Sequence, residues 1–165
     1  MSIKNTAFIG IGSNRGNRKE NCETAVRMIA SHKDTEIARR SSLYETEAWG
    51  EENQDNFLNC VAKIKTGKNV FDFFSLLQQV EKRIGKQKEV FWGPRKIDID
   101  LLFFGQEIIN EPELKVPHPF LHLRRFVIEP LSEIAPDFIH PTINQSIKVM
   151  LKNLTDTKKV LKICC

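Results

Sequence analysis

Along this chain, apolar residues alternate with polar ones in some stretches and recur every three or four positions in others. The switches between these two periods predict its elements. "TAFIGIG" (6–12) reads as a short strand closed by the turn chemistry of "GSNRGN". Cys22, Ala25, Val26 and Ile29 then recur at helical spacing, predicting a helix over about 18–32. Residues 36–48 read as extended, and "FLNCVAKIKT" (57–66) alternates so that Leu58, Cys60, Ala62 and Ile64 share one face. Val70, Phe73, Phe74, Leu77 and Ile84 form the stripe of a second helix over about 70–84, stopping near Gly85. A basic loop with two glycines and a proline fills 85–95. A strand over 96–104 follows, with a hairpin expected through Gly105 into "EIIN". Beyond residue 111 the chain is punctuated by prolines, and "INQSIKVMLKNL" (143–154) reads as a last helix.

The order up to residue 104 is β-α-β-β-α-β. This predicts an α+β fold of the ferredoxin-like kind, an antiparallel sheet with two helices on one face. The C-terminal third would be an addition covering the other face. The 165 residues suit one domain, 1–165, and contain neither repeat nor interdomain linker.

Period two also poses the chemical question. In "WGPRKIDIDLLFFG" (92–105), Asp98 and Asp100 project together, with Cα atoms roughly 6.5–7 Å apart, while Ile97, Ile99 and Leu101 face the other side. Two carboxylates in an apolar strand are costly unless a cation joins them, and oxygen-only ligands select a hard ion such as Mg²⁺. An edge strand blunted by charge would look the same. Arg95 precedes the pair, and Lys86, Lys88 and Lys96 add positive charge of a kind suited to a polyphosphate. Trp92 stands in the loop as a ligand lid or a core anchor. Phe57 and Asn59 share the strand face opposite Leu58, an aromatic plane beside an amide, which suits a flat heterocycle as well as ordinary packing. Gln78 and Glu81 are neighbours on the second helix. "GIGSNRG" lacks phosphate-loop spacing and is taken as a strand-to-helix turn. His118 stands out among the histidines because Arg124 and Phe126 follow closely; His32 and His140 look incidental.

Composition narrows the classes. A net charge of +4 suits a small anion but is too diffuse to argue for nucleic acid. No apolar run is long enough to span a bilayer, and the N-terminus lacks a signal-peptide pattern, so a cytoplasmic protein is expected. Cys22 and Cys60 sit at apolar positions as small hydrophobes, and Cys164-Cys165 reads as a frayed tail.

Together, "FIGIGSNRGNR", "SSLYETEAWG…FLN", "WGPRKIDIDLLFFG" and "VPHPFLHLRRFVIEPLSEIAPD" resemble the 6-hydroxymethyl-7,8-dihydropterin pyrophosphokinase family over roughly residues 6–140. The resemblance implies a ferredoxin-like enzyme of folate biosynthesis. It would move the pyrophosphoryl group of ATP to the pterin hydroxymethyl oxygen and release AMP. Its partners would be small molecules, with no nucleic acid and no membrane, and it would act as a monomer. Carried over by position, Asp98 and Asp100 would coordinate two Mg²⁺ ions, with Arg95 and Lys86 completing the catalytic set. Phe57 and Phe126 would sandwich the pterin, while Thr46, Asn59 and backbone near Trp49 read its edge. Gln78, Glu81, Lys88, Trp92, Ile99, His118 and Arg124 would contact ATP. Lys86 and Lys88 stand where the family commonly has arginine, which keeps charge but gives up bidentate geometry. Pro119 after His118 removes an aromatic nucleotide contact sometimes found there. The competing readings are another two-metal phosphoryl or nucleotidyl transferase, and a non-catalytic domain that binds pterin and ATP.

Overall fold

The computed structural model describes residues 5–48, 54–85 and 96–163. Strand β1 (Asn5–Ser13) leads through Gly16, at φ 72°, into α1 (Arg18–Ala30). Asn17 caps that helix by accepting from Glu20 N at 3.1 Å. The extended stretch after it is two strands, β2 (Thr35–Arg40) and β3 (Leu43–Thr46), split where Ser41 exchanges bonds with Val61 of β4 (Phe57–Thr66). Helix α2 (Val70–Ile84) starts at Asn69, which accepts from Asp72 N at 2.9 Å, and ends at Gly85 with φ 101°, a conformation glycine adopts without strain. Strand β5 (Asp98–Phe104) follows.

Strands β1 to β5, with a C-terminal strand β8 (Val160–Ile163), form one antiparallel sheet in the order β5-β1-β4-β3-β8, and β2 also pairs with β4. Alternation divides the sheet as the sequence predicts. Ala7, Ile9 and Ile11 of β1, with Leu58, Cys60, Ala62 and Ile64 of β4, are buried in one core with the apolar stripes of α1 and α2. Cys22 and Cys60 are free thiols inside it, and burial pushes both up, Cys60 to about 12. The second face is covered by α3 (Arg125–Ile134) and α4 (Ile147–Lys152), whose apolar residues form another core with Phe8, Val61, Leu102 and Phe103. Helices thus lie on both faces.

Three expectations are corrected. The hairpin after Gly105 does not form on β5. Gly105 returns its N–H to Thr6 O at 2.7 Å, and β6 (Ile109–Asn110) pairs with β7 (Lys115–Val116) instead. Helix α3 goes unpredicted because Pro130 lies inside it. The proline forfeits one backbone bond, but Val127, Ile128, Leu131 and Ile134 are buried against the sheet. The last helix is shorter than its pattern, since Asn144 has φ 61° and Ser146 caps only at residue 146.

One irregularity places the site. Phe8 opposes Phe103, but the next residue, Ile9, opposes Leu101, so Leu102 is an extra residue in β5. After this bulge Gly10 stands opposite Asp100 and Gly12 opposite Asp98.

Candidate active site

On the second face, between the sheet and the start of α3, lies a cavity lined by residues from five elements. Strand β4 contributes Phe57 and Asn59, which alternation turns away from the Leu58 core. Thr46 comes from β3, and its Oγ1 accepts from Asn59 Nδ2 at 2.7 Å with both residues buried. The Thr46 hydroxyl hydrogen and the second Asn59 amide hydrogen remain as donors for a bound ring edge. Gly12 makes room for this pair. A Cβ built there would overlap Asn59 Oδ1 and lie 3.5 Å from Phe57 Cδ1.

Strand β5 contributes Asp98 and Asp100, half-buried on the same face. Arg124 and Phe126, at the start of α3, complete the lining. Arg124 is 6% exposed, and its guanidinium lies 5.4 Å from the Phe120 ring centre and 5.6 Å from that of Phe126. Burial pulls its pKa down, while the charges of Asp100 and Asp98 pull it back up. The cavity therefore has an aromatic, amide-lined end and a charged end, with Arg124 facing both.

His118 stands beside the charged end. Its backbone N–H donates to Leu102 O at 3.0 Å, and its Nδ1 accepts from Phe120 N at 3.2 Å. Burial, followed by the Arg124 charge, lowers it to about 4 against the opposing influence of Asp98. At neutral pH the ring is uncharged and carries its proton on Nε2.

A family model described as 7,8-dihydro-6-hydroxymethylpterin-pyrophosphokinase (HPPK) matches residues 8–136. The chain belongs to this family. Among its relatives, the 2-amino-4-hydroxy-6-hydroxymethyldihydropteridine pyrophosphokinase of Aquifex aeolicus is 43% identical over 143 residues, covering 87% of this chain and 88% of that protein. The protein of the same name from Bacillus subtilis is 42% identical over 132 residues, 80% and 79% of the two chains. The solved structure of wild-type Plasmodium falciparum HPPK-DHPS matches 91% of this chain with a TM-score of 0.69. At 14% identity that likeness shows the fold, and the chain spans 43% of that longer protein. Membership makes the chain a pyrophosphokinase, as its motifs imply.

Against this HPPK background the expected site residues fall into three groups. Thr46, Phe57, Asn59, Asp98, Asp100, Arg124 and Phe126 line one cavity. Gln78, Glu81, Ile99 and His118 are not part of that lining. Gln78 is exposed and Glu81 buried on α2, the helix behind the sheet, and the Ile99 side chain is packed in the core shared with α1 and α2. The Ile99 side chain is therefore not presented to the cavity. Trp49, Lys86, Lys88, Trp92 and Arg95 lie outside the described residues, as does Cys164-Cys165. Gly10, Gly12 and Phe120 went unnoticed. The glycines had a signal, since they alternate with Ile9 and Ile11 and so leave one strand face bare. Phe120 brings an aromatic ring within 6.2 Å of His118 despite Pro119. His140 is structural, its Nδ1 accepting from Thr142 N and Ile143 N at 3.1 Å each.

Proposed function

We propose that this pyrophosphokinase transfers the β,γ-pyrophosphoryl group of ATP to the hydroxymethyl oxygen of 6-hydroxymethyl-7,8-dihydropterin, yielding the pterin diphosphate and AMP in folate biosynthesis. The observation that carries the reading is the two-ended cavity, where a stacking and edge-reading end adjoins a carboxylate pair and a buried guanidinium. In this reading Phe57 and Phe126 stack on the two faces of the pterin. Thr46, Asn59 and backbone near Trp49 read its edge, excluding water and directing the hydroxymethyl group toward the charged end.

The donor set at that end fits Mg²⁺. Two carboxylates share one strand face and offer oxygen donors alone, the chemistry a hard ion prefers. Asp98 and Asp100 would hold two ions, which when bound supply Lewis-acid stabilisation of phosphate oxygens. Arg124 with Arg95, Lys86 and Lys88 offsets the polyphosphate charge. Neutral His118 offers Nε2–H to an acceptor on the nucleotide. Gln78, Glu81, Trp92 and the Ile99 backbone hold the rest of ATP along the open edge of β5, so that the ligand runs from the cavity around this edge toward α2. The strand order β5-β1-β4, with β2 and β3 both beyond β4, supports the ferredoxin-like assignment. The same reading takes residues 1–165 as one domain, monomeric and cytoplasmic, acting on small molecules alone. No helix among the described residues is long and apolar enough to cross a membrane.

Nucleotide product analysis with the pterin, ATP and Mg²⁺ tests the reaction. AMP in step with pterin diphosphate is expected; ADP or free pyrophosphate as the product overturns it.

A further inference from the structure

The pterin end of the cavity is assembled from two pieces that are not adjacent in sequence, a sheet surface and the start of α3. What holds them in register lies at the other end of that helix. Glu133 sits in its last turn, and its carboxylate is engaged by Tyr44 of β3 and by Ser42 just before that strand. Tyr44 Oη–H donates to Oε1 at 2.5 Å. Ser42 donates to Oε2 twice, from N at 2.9 Å and from Oγ at 3.1 Å. Lys162 Nζ of β8 stands 3.8 Å from Oε1. Burial would push this carboxyl up, but the bonds from Tyr44 and Ser42, with the Lys162 charge, outweigh it and keep Glu133 ionised.

The spacing makes this contact a register pin. Ser42, Tyr44 and Thr46 alternate on one face of their segment, and Phe126 and Glu133 are seven residues apart, two turns on one helix face. The helical span is about 10.5 Å and the strand span from Ser42 to Thr46 about 13 Å. Helix α3 therefore runs antiparallel to β3 with matched ends, Glu133 on Ser42 and Tyr44, Phe126 at the cavity with Thr46. The apolar residues of α3 bind it to the sheet but fix its sliding poorly, since apolar contact is not directional. The hydrogen bonds to Glu133 are directional.

We propose that Glu133 is a positioning residue for the pterin, fixing α3 along β3 so that the Phe126 ring is held over the surface made by Phe57 and Asn59. This rests on the pterin site proposed above, which AMP formation by the wild-type enzyme tests independently. Steady-state kinetics on Glu133→Ala, Glu133→Gln and Tyr44→Phe, varying each substrate, tests the pin. Glu133→Ala is expected to raise the pterin KM about tenfold, the scale of lost bonds to a charged group, with a smaller rise in the ATP KM through Arg124, which caps the same helix. Tyr44→Phe should raise it about threefold, and Glu133→Gln should recover part of the loss by keeping one acceptor oxygen. In a Phe126→Ala background, Glu133→Ala should add little, because the residue it positions is gone. A merely structural role would lower the melting temperature of all three variants without moving the pterin KM, and that outcome overturns the proposal. So does full additivity with Phe126→Ala. Should Glu133→Ala fail to fold, Tyr44→Phe decides the question, since it removes a single hydroxyl.

Discussion

Replacing Gly12 by alanine should damage pterin recognition while leaving nucleotide binding alone. The methyl group added at Gly12 would overlap Asn59 Oδ1, which lies directly across the strand pair. Strand backbone in the middle of a sheet moves little, so the amide must turn away. That breaks the 2.7 Å bond from Asn59 Nδ2 to Thr46 Oγ1 and leaves two buried polar groups to find other partners. An unsatisfied buried group costs about 1–3 kcal/mol, a weakening of roughly 5- to 150-fold when the loss falls on the bound state. Because the displaced Asn59 also loses its own contact with the ring edge, about 30-fold is the expected centre. Gly10→Ala is the matched comparison. Gly10 is on the same strand face, yet the nearest atoms to its added methyl would be those of the Leu102 side chain, at 3.7 Å, an ordinary contact. That variant should keep Asn59 in place and gain about 0.4–1 kcal/mol of stability from a less flexible unfolded chain. Titration of pterin fluorescence measures the affinities, with ATP affinity as the internal control. A Gly12→Ala enzyme that binds pterin within twofold of wild type would refute the role assigned to the Asn59–Thr46 pair.

Three further outcomes follow from the same geometry. Asp98→Asn and Asp100→Asn should each lower kcat by at least about 100-fold with unchanged circular dichroism; near-wild-type turnover in both would remove the metal assignment. Arg124→Lys keeps the charge but not the flat group between Phe120 and Phe126, so the ATP KM should rise about tenfold, and an unchanged KM would show that charge alone suffices. His118 is held neutral to about 4 while an unfolded histidine titrates near 6.5. The unfolded state thus binds the extra proton first, and stability present above about pH 6.5 is lost as pH falls toward 4. Between pH 7 and pH 5 this amounts to about 2 kcal/mol, to be measured as the urea-stability difference between wild type and His118→Gln at both pH values. Parallel pH dependence in the two proteins would contradict it.

What could be read in advance follows from which features are local. Alternation over 57–66 places Leu58 in the core and Phe57 and Asn59 on the ligand face, because period two is set by strand geometry whatever the neighbours. Asp98 and Asp100 share a face for the same reason. The union of Arg124 and Phe126 with that surface was not legible from periodicity, since it depends on where α3 lies, and Pro130 hid the helix. The family motif supplied the grouping without its geometry. Gly12 shows the same limit in another form. Its importance comes from Asn59 standing opposite, a fact of strand pairing that no single-strand pattern contains. The Leu101–Phe104 run conceals its bulge because every residue in it is apolar, so a change of face leaves no trace in composition.

That bulge decides more than local twist. Suppose Leu102 were not bulged but paired opposite Ile9, with the ladder continuing evenly from Phe8 and Phe103. Every residue before it in β5 would then move one place along β1, and Asp100 would oppose Ile11 instead of Gly10. Both carboxylates would point beneath α1 and α2, into the interior that holds Ile9, Ile11 and Leu77. One apolar residue, touching no substrate, thus works as a parity switch, and it determines whether the acidic pair can serve chemistry or only disrupts a hydrophobic core.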